Sequence, residues 1–188
     1  MPSLSEAERR ELLDLARLSV VQAVSHANLP EKIPTAGIFA ERRGVFVTLH
    51  VRGRLRGCIG VIDGEEPLGP AVVRCAASAA LQDARFSPLR PEELGGLEIE
   101  ISLLSPLAPI ASEDVEIGLH GLLVAQGIKR GLLLPQVAAE HHLTREQFIE
   151  ETCHKAGLAR EAWRQADTKL TGFTCEVIST QGRVPRPD

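Results

Sequence analysis

The stretch Gly44–Gly60, GVFVTLHVRGRLRGCIG, predicts a β-hairpin. Its first part, Gly44–Val51, is rich in β-branched and aromatic residues, which favour strands. Arg52-Gly53 then supplies a turn, and the chain returns through a second extended run. Side chains alternate between the two faces of an extended run, so we expect Arg56 and Cys58 to project from one face. The hairpin therefore brings a guanidinium and a thiol close together.

Helical periodicity is found on both sides of the hairpin. Ser5 and Glu8 have the spacing of a capping box, and an amphipathic helix is predicted from there to the region 28–34, where two prolines limit its continuation. A second helix is predicted over Leu68–Arg85, followed by a short helical turn over Pro91–Leu94. The hairpin is thus expected to have helices to pack on it.

The clearest strand of the sequence is Leu97–Leu103, in which apolar and polar residues alternate strictly. Such alternation indicates a sheet with one buried and one polar face, which is typical of antiparallel sheets.

The second half of the chain repeats this order. Gly121–Val124 aligns with Gly44–Val47 when the sequence is shifted by 77 residues. Phe173, Cys175 and Val177 align in the same way with Leu97, Ile99 and Ile101. Between these matches, helices are predicted over Val137–His142 and Arg145–Ala156, and a short one over Arg160–Gln165.

These alignments predict an internal duplication, with repeats at about 36–105 and 115–180. The fold class expected is α+β: two β-β-α-α-β-like repeats form a mainly antiparallel sheet, helices pack on it, and an N-terminal helix precedes them. We expect one domain over residues 1–188, with a flexible tail at 183–188.

Composition and charge narrow the function classes. The chain has 188 residues, a formal net charge of −4, five Phe, one Trp and no Tyr. Nucleic acid is therefore an unfavoured partner, because neither a basic surface nor aromatic stacking platforms are expected. The first ten residues are polar, and no apolar run has the length of a membrane span, so a cytoplasmic protein without membrane contact is predicted.

The four cysteines are widely spaced and contain no CxxC pair, so neither a zinc site nor a thioredoxin-like motif is predicted, and the thiols are expected to be reduced. Cys75 lies in a helical apolar pattern, and Cys175 alternates inward in a strand pattern, so both are expected to be packing residues. Glu140, His141 and His142 lack the spacing that places two imidazoles on one helical face. Neither a metal site nor a cofactor is predicted.

Cys58 with Arg56 is the sharpest candidate site. A nearby cation favours the thiolate form of a cysteine, and a nucleophilic cysteine also needs a base. His50 precedes the turn and is a candidate to lie across the ladder from the motif Leu55–Gly60. The alternative is that Cys58 is a small packing residue and that the neighbouring glycines serve sheet geometry.

Asp83 and Arg85, followed by Phe86, close the predicted second helix. They form either a solvated pair that complements the helix C-terminus or, with Arg56 and Cys58, the lining of one cleft. Other arginines give the hairpin a basic character, either as a solvated strand edge or as a surface for an anionic ligand or acidic partner. They are Arg42, Arg43, Arg52 and Arg54.

Several segments resemble the AMMECR domain family, whose prokaryotic members are called AmmeMemoRadiSam system protein A. They are Leu55–Gly60 within the hairpin, Asp83–Phe86, Glu98–Leu104, Gly131–Ala138, Cys153–Leu158 and Trp163. The resemblance covers nearly the whole chain. It implies an α+β fold of two β-rich repeats, and a partnership with a Memo-like protein and a radical S-adenosylmethionine enzyme. It implies no reaction, so the chemistry has to be argued from residues.

Gln136 and Lys155 match family motifs in the second repeat. Gln136 opens a predicted helix, where free amides favour anions, although satisfying backbone groups is the commoner role. Lys155 lies in the last turn of its helix and complements the helix dipole there. With Arg85 and Phe86, they complete the candidate substrate- or partner-binding residues.

Two functions follow from these observations. The preferred one is an accessory or binding component that uses a cleft around Arg56 and Cys58 to hold a substrate or partner segment. The alternative is a cysteine-dependent transferase or hydrolase. In that case Cys58 is the nucleophile, Arg56 stabilises an anion or the thiolate, and Asp83 handles the proton.

Overall fold

The structure is a computed structural model that describes residues 4–180. Within this range the chain forms two compact units. The first contains residues 4–103 and 176–180, and the second contains residues 104–175. The tail at 183–188 lies outside the described residues. The one-domain assignment and the repeat bounds stay predictions.

The elements of the first unit follow the order that the sequence predicts. They are α1 (Glu6–Val24), β1 (Val45–Val51), β2 (Arg54–Val61), α2 (Leu68–Leu81) and β3 (Leu97–Leu104), with short 3₁₀ turns at Gly37–Ala40 and Pro91–Gly96. The capping box at Ser5 and Glu8 is present at the start of α1. Arg52 and Gly53, both with positive φ, form the hairpin turn. These local predictions are confirmed.

The sheet of the first unit has β2 at its outer edge, followed by β1 and β3, with antiparallel pairing between them. The alternation predicted for Leu97–Leu103 gives β3 a buried face that shares one apolar core with α1 and α2. Its fully buried sheet residues include Val45, Val47, Leu49 and Ile101. Burial of these side chains is the main source of the unit's stability.

A β-bulge interrupts the hairpin at the motif. Leu49 is opposite Gly57 and His50 is opposite Leu55, so Arg56 is an extra residue without a partner on β1. A bulge re-aims side chains and bends the strand that carries it. The strict alternation expected through the motif therefore breaks at Arg56.

Gly57 marks a close approach between β2 and α2. A β-carbon at this position would overlap the backbone carbonyl of Ala79. Gly131 is in the same situation in the second unit, against the backbone of Ala156. In both units a glycine lets a hairpin strand pack directly on a helix.

The second unit repeats the sequence of hairpin, helices and closing strand. Its elements are β4 (Ala108–Pro109), β5 (His120–Gln126), β6 (Lys129–Leu133), α3 (Pro135–Glu140), α4 (Arg145–Lys155) and the first part of β7 (Lys169–Ser179), with 3₁₀ turns at Ser112–Asp114 and Arg160–Arg164. Residues 176–179 of β7 belong to the first unit. In this unit β5 lies between β6 and β7, and β4 pairs with β7. The predicted α+β class with a mainly antiparallel sheet is confirmed.

Two local predictions are wrong. Helix α2 ends at Leu81 and not at Arg85, because the carboxylate of Asp83 binds a strand backbone and the chain turns there. Cys175 and Val177 are only half-buried, although Phe173 is buried. Their inward alternation fails because the buried side of β7 changes along the strand, so that Ile178 packs in the core of the first unit.

Candidate functional site

Cys58 lies on the edge strand β2 with its side chain half-buried. Gly57 faces α2, so Cys58 projects from the opposite face of the sheet. The residue directly opposite on β1 is Thr48, whose Oγ1 donates a hydrogen bond to the Cys58 Sγ at 3.3 Å. The immediate polar neighbour of the sulfur is therefore a hydroxyl.

Asp83 and Arg85 bind the outward backbone of Cys58. The Cys58 N–H donates to Asp83 Oδ2 at 2.8 Å, and Arg85 Nη2 donates to the Cys58 carbonyl at 3.1 Å. Arg85 also donates to both oxygens of Asp83, at 2.9 and 2.7 Å. A carboxylate and a guanidinium thus supply the acceptor and donor that an adjacent strand would supply.

The ion pair with Arg85 keeps the side chain of Asp83 in its charged carboxylate form. The side chain of Asp83 is only 5% exposed. The hydrogen bonds from Arg85, helped by the Cys58 N–H, hold the pKa of Asp83 well below its usual range, although burial opposes this shift. Arg85 is largely exposed and its guanidinium carbon lies 5.4 Å from the centre of the Phe86 ring.

Arg56 forms a second ion pair. Its Nε and Nη2 donate to the two oxygens of Glu93 at 2.7 and 3.1 Å, and Nη2 also donates to the Ser87 carbonyl at 3.3 Å. Both side chains are less than one-fifth exposed. The hydrogen bonds from Arg56 lower the pKa of Glu93 from 4.5 to about 2. Bidentate pairs of this kind fix geometry as well as charge.

The structure brings five of the predicted residues together: Arg56, Cys58, Asp83, Arg85 and Phe86. Their bonding differs from the arrangement expected for a nucleophile, because Arg56 binds Glu93 and Asp83 binds the backbone of Cys58. His50 lies across the ladder from the motif, as expected, but its partner there is Leu55, whereas Thr48 is opposite Cys58.

Sequence reasoning missed Thr48, Ser87 and Glu93. The register set by the hairpin turn alone would place Val47 opposite Cys58, and the bulge at Arg56 places Thr48 there instead. Glu93 lies 37 residues after Arg56, and no spacing rule connects side chains over that distance.

Gln136 and Lys155 lie in the second unit. Gln136 is the second residue of α3, and its buried Oε1 has no hydrogen-bond partner within residues 4–180. Lys155 is the last residue of α4, exposed and next to the helix C-terminus, as predicted. Their role in binding stays a prediction.

The other thiols differ in their surroundings. Cys75 and Cys153 are fully buried, and burial raises the pKa of Cys75 to about 11. In the described part of the chain, no group of three or more His, Cys, Asp or Glu residues is arranged to hold a metal ion. No helix between residues 4 and 180 has the length and apolar character needed to cross a membrane.

Together, the fold and the motif define an α+β protein in which an Asp–Arg ion pair binds the backbone of a cysteine on the edge strand of a sheet. The AMMECR1 family model matches residues 13–178, and the chain belongs to this family. A protein of Methanothermobacter thermautotrophicus is 39% identical over 95% of this chain and 97% of its own length. One from Aquifex aeolicus is 40% identical over 89% and 90% of the two chains.

A solved structure agrees with the fold. The crystal structure of an uncharacterised protein from Pyrococcus horikoshii superposes with a TM-score of 0.86 at 35% identity. The match covers 96% of this chain and 98% of the other.

Proposed function

We propose that this protein is an accessory, binding component that acts in the cytoplasm with a Memo-like protein and a radical S-adenosylmethionine enzyme. Its binding site is the surface around Arg56 and Cys58, which holds a substrate or a segment of a partner. Chemistry at a radical belongs to the partner enzyme.

One observation supports this proposal above all: both ion pairs of the motif hold its backbone and loops in place. Asp83 and Arg85 bind the Cys58 backbone, and Arg56 joins β2 to Glu93 and the Ser87 carbonyl. A binding surface needs such a fixed frame, because order that exists before binding does not have to be created on binding.

The enzyme alternative has less support from the same contacts. A proton handler needs a pKa near the working pH, and Arg85 keeps that of Asp83 far below it. An anion-stabilising Arg56 would have to give up two hydrogen bonds to Glu93. A cysteine-dependent transferase or hydrolase would therefore require the motif to rearrange.

Replacement of Cys58 by Ser and by Ala distinguishes these functions. Each variant is tested for co-purification with the Memo-like protein and the radical enzyme, and for activity of the reconstituted system. Cys175→Ala is the matched control, because that thiol is also half-buried. We expect both Cys58 variants to retain partner binding and system activity. Variants that bind both partners but are inactive would favour the nucleophile and contradict the proposal.

A further inference from the structure

A cleft lies beside the C-terminal end of β2, next to Cys58, whose backbone is bound by Asp83 and Arg85. It has a volume of about 480 Å³. Its lining consists of Gly60–Asp63, Glu65, Glu66 and Arg74, and we call it the edge cleft. All of these residues belong to the first unit.

The backbone direction of β2 makes this edge able to accept another strand. In an antiparallel strand, the N–H and C=O of alternate residues point to the same side. The outward groups of Cys58 are bound by Asp83 and Arg85, so those of Gly60 also point outward, two residues further along. Within residues 4–180, no hydrogen bond from a side chain or another loop reaches Gly60.

The cleft wall is acidic. Three carboxylates line it, on Asp63, Glu65 and Glu66, against the single guanidinium of Arg74. Arg74 is already paired with Glu66. Asp63 and Glu65 are exposed and have no ion-pair partner among the described residues. Arg42 approaches this loop, but its guanidinium donates to the backbone carbonyl of Glu65.

We propose that the edge cleft binds a short, extended, basic segment of a protein partner by strand addition to β2. The partner backbone pairs with Gly60, and its Lys or Arg side chains face Asp63 and Glu65. Main-chain hydrogen bonds supply the pairing, and the carboxylates supply the charge selection. The Asp83–Arg85 pair ends the docking surface at Cys58, because it occupies the next outward backbone groups.

This inference rests on the proposed function in assuming a protein partner. Titration with a short peptide tests binding at the edge cleft without either proposed partner. The intact chain is titrated with the peptide acetyl-Lys-Val-Arg-Val-Lys-amide, and separately with acetyl-Glu-Val-Asp-Val-Glu-amide, while amide resonances are recorded at low salt. We expect the basic peptide alone to shift the amides of Gly60 and Ile62 and to slow hydrogen exchange at Gly60.

The paired substitution Asp63→Lys with Glu65→Lys should weaken binding of the basic peptide about tenfold or more, since it reverses the charge of the wall. The matched control is Glu11→Lys with Asp14→Lys on the exposed side of α1, which makes the same change in net charge and should leave the affinity unchanged.

Three results would overturn the inference. They are unshifted Gly60 and Ile62 amides with the basic peptide, equal binding by the wall-reversed and control variants, and shifts that depend on protein concentration without peptide. The last would indicate pairing between two copies of this chain. If the intact protein captures neither proposed partner but the basic peptide still binds at Gly60, the proposed function fails and the cleft stands.

Discussion

The ion pair between Arg56 and Glu93 allows a quantitative test of how strongly charged side chains stabilise the motif Leu55–Gly60. We consider Arg56→Gln, Glu93→Gln and the double variant, with the free energy of unfolding measured in urea at pH 7. Because both side chains are less than one-fifth exposed and share two hydrogen bonds, their interaction is only weakly screened by water.

The size of the effect follows from the pKa of Glu93. A shift from 4.5 to about 2 corresponds to an upper limit of about 3 kcal/mol at neutral pH. After allowance for residual solvent screening, we expect a coupling energy of about 2 kcal/mol from the double-mutant cycle. The lowered pKa means that this stability is present above about pH 4.5 and is lost as the pH falls toward 2.

The control cycle uses Arg160 and Glu151, an ion pair whose side chains are 47% and 37% exposed. Exposed pairs of this kind contribute about 1 kcal/mol or less. The prediction is contradicted if the coupling energy of Arg56 and Glu93 is no larger than that of the control pair, or if it does not decrease in acid.

Three further predictions follow from the same unit. Gly57→Ala should lower the free energy of unfolding by about 3 kcal/mol or more, because the new methyl group overlaps a backbone carbonyl of α2. Gly95→Ala is the control: this glycine has open space around it, so the substitution should change the midpoint of urea unfolding little. Asp83→Asn should cost about 2 kcal/mol at pH 7, and this cost should shrink below about pH 3.8, where the lowered pKa of the wild-type carboxylate makes its stabilisation fade. Arg56→Gln should leave the rate of Cys58 alkylation by iodoacetamide within about twofold of wild type, because the guanidinium binds Glu93 and not the sulfur. Peptide mass spectrometry measures this rate, and a large drop would show that Arg56 activates the sulfur.

Local sequence signals predict much of the fold because they act over a few residues. The capping box at Ser5, the turn at Arg52-Gly53 and the alternation of Leu97–Leu103 each specify their own element. The α+β class follows from their order along the chain.

The arrangement of the candidate site depends on tertiary contacts that no local pattern contains. The bulge at Arg56 shifts the register by one residue, and this places Thr48, rather than Val47, opposite Cys58. Apolar periodicity continues through the end of α2, but the bond from Asp83 to the β2 edge ends the helix early. Sequence spacing could place Arg56 near Cys58, but it could not identify Glu93 as the partner that binds Arg56.

Hydrogen exchange at the Cys58 amide tests most directly whether the motif's charges serve to hold the strand edge. In the wild-type protein this N–H donates to Asp83 and should exchange slowly. In Asp83→Ala it should exchange at least about tenfold faster, while amides of β1 remain protected. An equally slow Cys58 amide in both proteins would contradict the account.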